Sequence, residues 1–240
     1  MPTPYDGKIG LWQWTGESVG ESTIAQLAQT IKTQCPVADA VWVKTNDGNT
    51  WQGTYDDKKA MAISGPADIA KWVSALSAVG LEFHAWCVPI GVDVPGETAR
   101  IVEACKVPGV KSMVLDVEPY TGFWKGTAQI ATTLMQGVRA ALGPNFHIGL
   151  SVDPRRGHYA EITPDAWRPY VNSVHPQIYW DTMGRTPEDL ITETYVVWGG
   201  YGLPIIPALS GHATPETIKK AQDIVRSVRG APGVSYWRLA

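Results

Sequence analysis

The strongest constraint on this chain is an alternation that runs from end to end, in which eight short β-type runs are separated by segments patterned as helices. The runs are Lys8–Trp14, Ala38–Thr45, Leu81–Pro89, Val110–Glu118, His147–Asp153, Ser173–Trp180, Leu203–Leu209 and Gly233–Leu239. Such alternation implies a parallel sheet whose strands are joined by helical crossovers. The helical segments carry their own punctuation. Ile24, Leu27, Ala28 and Ile31 recur at i, i+3, i+4 and i+7. Ile69, Trp72, Val73, Leu76 and Val79 do the same between Pro66 and Gly80, and Ile130, Leu134, Val138 and Leu142 form a stripe ended by Gly143. Thr163-Pro164, Thr186-Pro187 and Thr214-Pro215 each set a threonine N-cap before a proline at the first helical position. Eight such units in 240 residues match a (β/α)8 TIM barrel forming one domain over residues 1–240, since that fold typically takes about 250 residues. An open doubly wound sheet would carry a glycine-rich phosphate turn after its first strand, and Trp12-Gln13-Trp14-Thr15-Gly16 is not one.

A barrel places its active site at the carboxyl ends of the strands, and strand side chains alternate between lumen and helix layer. In Val110–Glu118 the apolar Met113, Leu115 and Val117 suit the helix layer, which turns Asp116 and Glu118 into the lumen at its mouth. The same parity turns His175, Gln177, Tyr179 and Asp181 inward on the sixth run, and Glu82, His84 and Trp86 on the third. Trp42 and Lys44, Ser151 and Asp153, and Ser235 and Trp237 complete one polar and aromatic face. Charges are seldom buried without partners, so a lumen carrying several of them indicates a functional cleft.

Composition narrows the chemistry. Twenty basic and twenty-three acidic residues leave a net charge of −3 with no basic block, so no nucleic-acid partner is expected. No apolar run approaches the roughly 20 residues of a membrane span, and the first residues lack the pattern of a secretory signal. Cys35, Cys87 and Cys105 have no metal-ligand spacing and are expected as buried thiols. Eleven tryptophans and nine tyrosines against three phenylalanines favour flat surfaces with a polar handle, which suit sugar rings. No Gly-x-Ser-x-Gly elbow occurs, and the five histidines form no His-x-His or His-Glu-x-x-His pair. A mixed metal site built from His84, His175 and Asp181 is the remaining metal-dependent alternative.

Two carboxylates separated by one residue on a strand lie on the same side, where coupling separates their pKa values and keeps one group protonated as a general acid. With aromatic platforms beside them, the matching chemistry is glycosidic bond cleavage. In Val114-Leu115-Asp116-Val117-Glu118, Gln177-Ile178-Tyr179-Trp180-Asp181 and Gly233-Val234-Ser235-Tyr236-Trp237 the chain resembles glycoside hydrolase barrels of the family 18 chitinase and family 25 lysozyme type. That resemblance implies Glu118 as the acid, Asp116 as the residue that orients a substrate N-acetyl group, Tyr179 as its hydrogen-bonding partner and Trp237 as the sugar floor. Two positions depart from the family 18 pattern: Val114 stands where it has an inner aspartate, and Gln177 where it has methionine.

The expected activity is hydrolysis of an N-acetylated polysaccharide such as peptidoglycan or chitin, at an extracellular or cell-wall site, by a monomer needing no cofactor. Asp181 and Tyr179 position the reacting sugar, while Trp42, Lys44, Trp86, Asp153, Gln177 and Trp237 bind the chain, with Trp51 as an added subsite. A carbohydrate-binding barrel without turnover is the alternative.

Overall fold

A computed structural model describes residues 2–239. Eight strands, β1 (Ile9–Gln13), β2 (Ala40–Asp47), β3 (Glu82–Val88), β4 (Val110–Asp116), β5 (Ile148–Val152), β6 (Ser173–Ile178), β7 (Ala208–Ser210) and β8 (Val234–Trp237), each pair in parallel with the next. β8 then returns to β1, with Ile9 opposite Val234 and Leu11 opposite Tyr236, so the sheet closes into a (β/α)8 barrel. A two-residue strand, Thr50–Trp51, folds back antiparallel on the end of β2.

Helices α1 (Ile24–Gln34), α2 (Pro66–Ser77), α3 (Val94–Cys105), α4 (Ala128–Leu142), α7 (Pro187–Trp198) and α8 (Pro215–Asp223) cover the outside. The apolar stripes of α1 to α4 and the outward strand residues, among them Met113, Leu115 and Val117, form one core between sheet and helices, and α7 and α8 pack a second one against Ile178, Leu209 and Val234. Cys87 and Cys105 are buried in that layer and Cys35 is half-buried. Thr186 and Thr214 cap α7 and α8 by accepting from the backbone N–H of Asp189 and Thr217.

Thr163 does not behave that way. The crossover from β5 to β6 is two single turns, α5 (Arg156–Tyr159) and α6 (Pro164–Trp167), and Thr163 sits between them at a left-handed φ of 50° with no capping bond. No apolar stripe supports a longer helix here. The segment instead wraps around the buried Trp167 indole, whose Nε1 donates to the Ile162 carbonyl at 2.9 Å. No helix follows β8 among the described residues, which leaves a groove of about 530 Å³ over the outer faces of β1 and β8, between α1 and α8.

Inside the barrel, small residues face large ones. Gly10, Ala40 and Ala208 make room for Trp12, Trp42 and Trp86, and the Trp42 ring occupies the space a Cβ on Gly10 would need. Trp42 stacks on His84 with centroids 4.8 Å apart and on Trp12 at 5.8 Å. Tyr5 plugs the amino end, its hydroxyl donating to Ser112 Oγ at 2.7 Å and its ring within 5.3 Å of Trp42, His84, His147 and His175. These side chains fill the amino end, and the open space lies at the other end.

Candidate active site

At the carboxyl end a cavity of about 380 Å³ opens to solvent, within the range of small-ligand sites. Its walls include Trp12, Trp86, Trp237 and Tyr179, and its polar floor is Asp116, Glu118, Ser151 and Gln177. Asp116 ends β4, but Val117 N still donates to the Ser151 carbonyl at 2.9 Å, so the ladder carries strand parity one residue further. Glu118 therefore keeps the inward direction of Asp116. The chain then folds back, with Trp124 N on the Glu118 carbonyl at 3.1 Å, and this brings Phe123 into the cavity wall.

Gln177 holds the two carboxylates together. Its Nε2 donates to Asp116 Oδ1 at 2.7 Å and Glu118 Oε1 at 2.9 Å, and lies 3.1 Å from Ser151 Oγ. Burial raises the pKa of Asp116 well above the usual carboxylate value, and the neighbouring Glu118 charge raises it further. Burial also raises Glu118, partly offset by the Gln177 hydrogen bond and reinforced by the charge of Asp153. Two interacting acids of this kind titrate as a pair. The pair retains a proton at pH values where an exposed aspartate or glutamate has lost its own.

That arrangement costs stability when the proton leaves. A carboxyl whose folded pKa is raised favours the folded state at low pH and loses that contribution as pH rises from its unfolded value through the folded one. Asp116→Asn is accordingly expected to melt higher than the parent at about pH 8, with the gain vanishing below about pH 4 where both states are protonated. Thermal melts across this range check it. A constant difference at every pH would remove ionisation of Asp116 as the cause.

The supporting residues sort by position. Lys44 is buried, with Nζ 2.7 Å from Asp47 Oδ1 and 5.0 Å from the Trp86 ring centroid. Trp86 is anchored by Nε1 donating to the Gln13 carbonyl at 3.0 Å, and Trp12 by Nε1 donating to Ser235 Oγ at 2.8 Å. Tyr179 stacks on Trp237 with centroids 6.2 Å apart. Its phenol pKa is pushed well up by burial and by the charges of Asp116 and Glu118, so it is a donor throughout the neutral range. Glu97, buried in α3, accepts from the backbone N–H groups of Ile90, Gly91, Val92 and Asp93. Lys125 N in turn donates to the Ile90 carbonyl at 2.8 Å, so this carboxylate steadies the loop that carries Phe123.

Several residues expected at the site lie elsewhere. Trp42 is on the inner face but is buried beneath Trp12 in the lumen core, away from the cavity wall. Asp153 is inside the mouth yet committed to Arg155, at 2.6 Å, and to the Tyr120 hydroxyl; burial opposes its ionisation, and these partners hold its pKa low. Asp181 is exposed, accepts from Ser210 Oγ, and is not part of the cavity. The reason is local: β6 ends at Ile178, and a turn with Tyr179 N on the Gln177 carbonyl breaks the alternation before Asp181. Trp51 packs outside the mouth under the Arg100 guanidinium, 5.2 Å from its ring centroid.

The histidines do not assemble with Asp181. His84 Nδ1 lies 2.7 Å from Ser112 Oγ and His175 Nε2 lies 3.0 Å from Ser173 Oγ, deep in the lumen. Burial lowers both histidine pKa values. Among the described residues no cluster of three histidine, cysteine or acidic side chains has metal-binding geometry.

Sequence reasoning missed Trp12, Trp14, Val88, Phe123 and Arg238 as wall residues. Trp12 was legible, because Gly10, Trp12 and Trp14 share one parity on the first run. Phe123 lies in a bend and Arg238 just past the end of β8, beyond the reach of alternation.

No family model matches the chain, and no curated protein sequence matches it. The likeness that exists is one of fold, to solved (β/α)8 barrels. A family 18 chitinase from Pseudoalteromonas aurantia superposes with a TM-score of 0.62 at 12% identity, covering 97% of this chain and 94% of that one. A family 17 β-1,3-glucanosyltransferase from Rhizomucor miehei gives 0.64 at 13% identity, covering 95% and 85%. Histamine dehydrogenase from Rhizobium sp. 4-9 gives 0.58 at 12% identity, covering 95% of this chain and 43% of its own. Barrels of this shape thus host unrelated chemistries, and function must be argued from the site.

Proposed function

We propose that this protein is a glycoside hydrolase acting on a polysaccharide that carries 2-acetamido sugars. The observation that carries the reading is the Asp116–Glu118 pair, clasped by Gln177 at the floor of a cavity walled by tryptophans. Glu118 is the more open of the two acids and stands as the general acid that protonates the leaving oxygen. Asp116, deeper and hydrogen-bonded to Gln177 and Ser151, steadies the substrate amide or the positive charge that develops at the anomeric carbon. Tyr179 is a fixed donor for the acetamido oxygen, and Trp237, stacked on it, is the platform for the reacting ring. Lys44 and Trp86 bind the chain beside it. The fold likeness to a chitinase agrees with this reading.

Asp116 shares a strand with Glu118, so it is badly placed to attack from the opposite face of the sugar. Ordinary retaining enzymes need a carboxylate about 5–5.5 Å across the bond, and inverting ones leave about 6.5–9.5 Å for water. Asp181 lies outside the cavity and supplies neither. The remaining nucleophile is the substrate's own N-acetyl oxygen. Cleavage is therefore expected to retain anomeric configuration and to be inhibited by a thiazoline mimic of the cyclic intermediate. Proton NMR of the earliest product tests this: a retained anomer supports substrate assistance, and an inverted one requires a water-activating base.

A further inference from the structure

Charge at the mouth is sorted by side. The acids Asp116 and Glu118 belong to β4 and its end, whereas the two cations of the wall, Lys44 and Arg238, belong to β2 and the end of β8. β1 joins those two strands, with Trp12 opposite Trp42 and Leu11 opposite Tyr236, so both cations flank the same arc of the barrel.

The cations differ in commitment. Lys44 is neutralised by Asp47 at 2.7 Å. Arg238 has no acidic partner and no hydrogen-bond acceptor among the described residues. Its guanidinium rests on indole rings, 4.9 Å from the Trp14 centroid and 5.8 Å from that of Trp237. Aromatic faces hold a guanidinium plane in place, but they satisfy none of its five N–H donors. One of these nitrogens, Nη1, is also shielded from water without a partner. A buried donor left unpaired is unfavourable until a ligand supplies an acceptor. Trp237, which the guanidinium touches, also forms the cavity wall beside Tyr179. The uncommitted charge therefore sits at the edge of the surface on which a sugar ring would lie.

A planar fork of this kind matches a carboxylate with two parallel hydrogen bonds. We propose that the cavity selects glycans bearing a carboxylate, which Arg238 receives while Trp237 and Trp14 carry the sugar to which it is attached. This rests on the glycoside hydrolase reading and names its substrate class. The sorting of charge also orients the chain. A carboxylate turned toward β4 meets an acid pair and no cation of the wall; one turned toward β8 meets Arg238 and is attracted. Two kinds of sugar present such a group, a uronate and a sugar with a lactyl-ether side chain.

The test is titration calorimetry on the Glu118→Gln variant, which removes the transferable proton while keeping the binding surface. Its probes are a hyaluronan hexasaccharide, a peptide-free peptidoglycan tetrasaccharide with its lactyl carboxylates, and the carboxyl-reduced form of each. At least one carboxylated probe is expected to bind about tenfold tighter than its reduced form, as one bidentate charged pair provides. The probe that does so identifies the source. This margin should shrink as salt rises from about 0.05 to about 0.5 M. It should be lost in Glu118→Gln/Arg238→Gln and partly kept in Glu118→Gln/Arg238→Lys. Equal binding of carboxylated and reduced probes, or a margin that survives Arg238→Gln, overturns the proposal. Failure of the underlying reading has a different signature, because the parent protein would then release no reducing ends from any of the four probes or from chitin.

Discussion

Replacing Glu118 by glutamine is expected to lower kcat by about 10²–10⁴, the usual contribution of a positioned general acid. The substitution keeps the shape and hydrogen-bonding reach of the side chain but removes the proton that the leaving oxygen must take. Gln177 Nε2 still has a carbonyl oxygen to donate to at this position, so the clasp survives. The loss should fall on kcat with KM little changed, because ground-state contacts with the sugar are retained. Initial rates on an N-acetylated oligosaccharide, with a thermal melt as control, decide the matter. A variant that turns over at the parental rate means that Glu118 is not the acid.

A second large effect is expected far from the chemistry. Gly10→Ala places a Cβ 1.3 Å from Trp42 Cζ3. The indole has nowhere to go, since Trp12, His84 and Tyr5 pack around it with centroids within 5.8 Å. Overpacking costs typically about 1–3 kcal/mol, and a methyl group driven into a ring held on three sides belongs at or beyond the top of that range. For a chain of this length about 3 kcal/mol corresponds to a fall in Tm of roughly 6–12 °C. Trp42→Leu introduced into the Gly10→Ala protein should recover part of the loss, although Trp42→Leu alone destabilises. If Gly10→Ala melts within about 2 °C of the parent, the lumen is packed less tightly than this geometry requires.

These two residues show what was legible in the sequence. Period-two alternation assigned Val110–Glu118 correctly because one face is uniformly apolar and packs on helices, so a slip of one residue would bury charge against them. Asp116, Glu118 and Gln177 follow from that parity, as does the inward direction of Trp42. How deep an inward residue sits does not follow, because depth depends on the stagger between strands. Trp42 consequently belongs to the lumen core, while Trp86, two residues further along its neighbouring strand than His84, reaches the cavity wall. Alternation also has no authority once a strand ends. Asp181 was carried inward by extending β6 past Ile178, and the turn at Tyr179 sends it to the rim. Thr163 shows a related limit of helical punctuation: a helix does start at Pro164, but with no apolar stripe behind it the helix lasts one turn and the threonine makes no capping bond. Arg238 has no pattern around it at all; its place depends on two indole rings brought together by closure of β8 on β1.

The most direct test of the central claim is release of reducing ends by the purified protein from chitin, peptidoglycan and acetamido-free plant glycans, followed in parallel with Glu118→Gln. Reducing ends from an N-acetylated polymer, absent from the plant glycans and suppressed in the variant, are the expected result. Binding to the same polymers with no reducing ends after prolonged incubation would contradict it, and would make the cavity a carbohydrate-binding site without turnover.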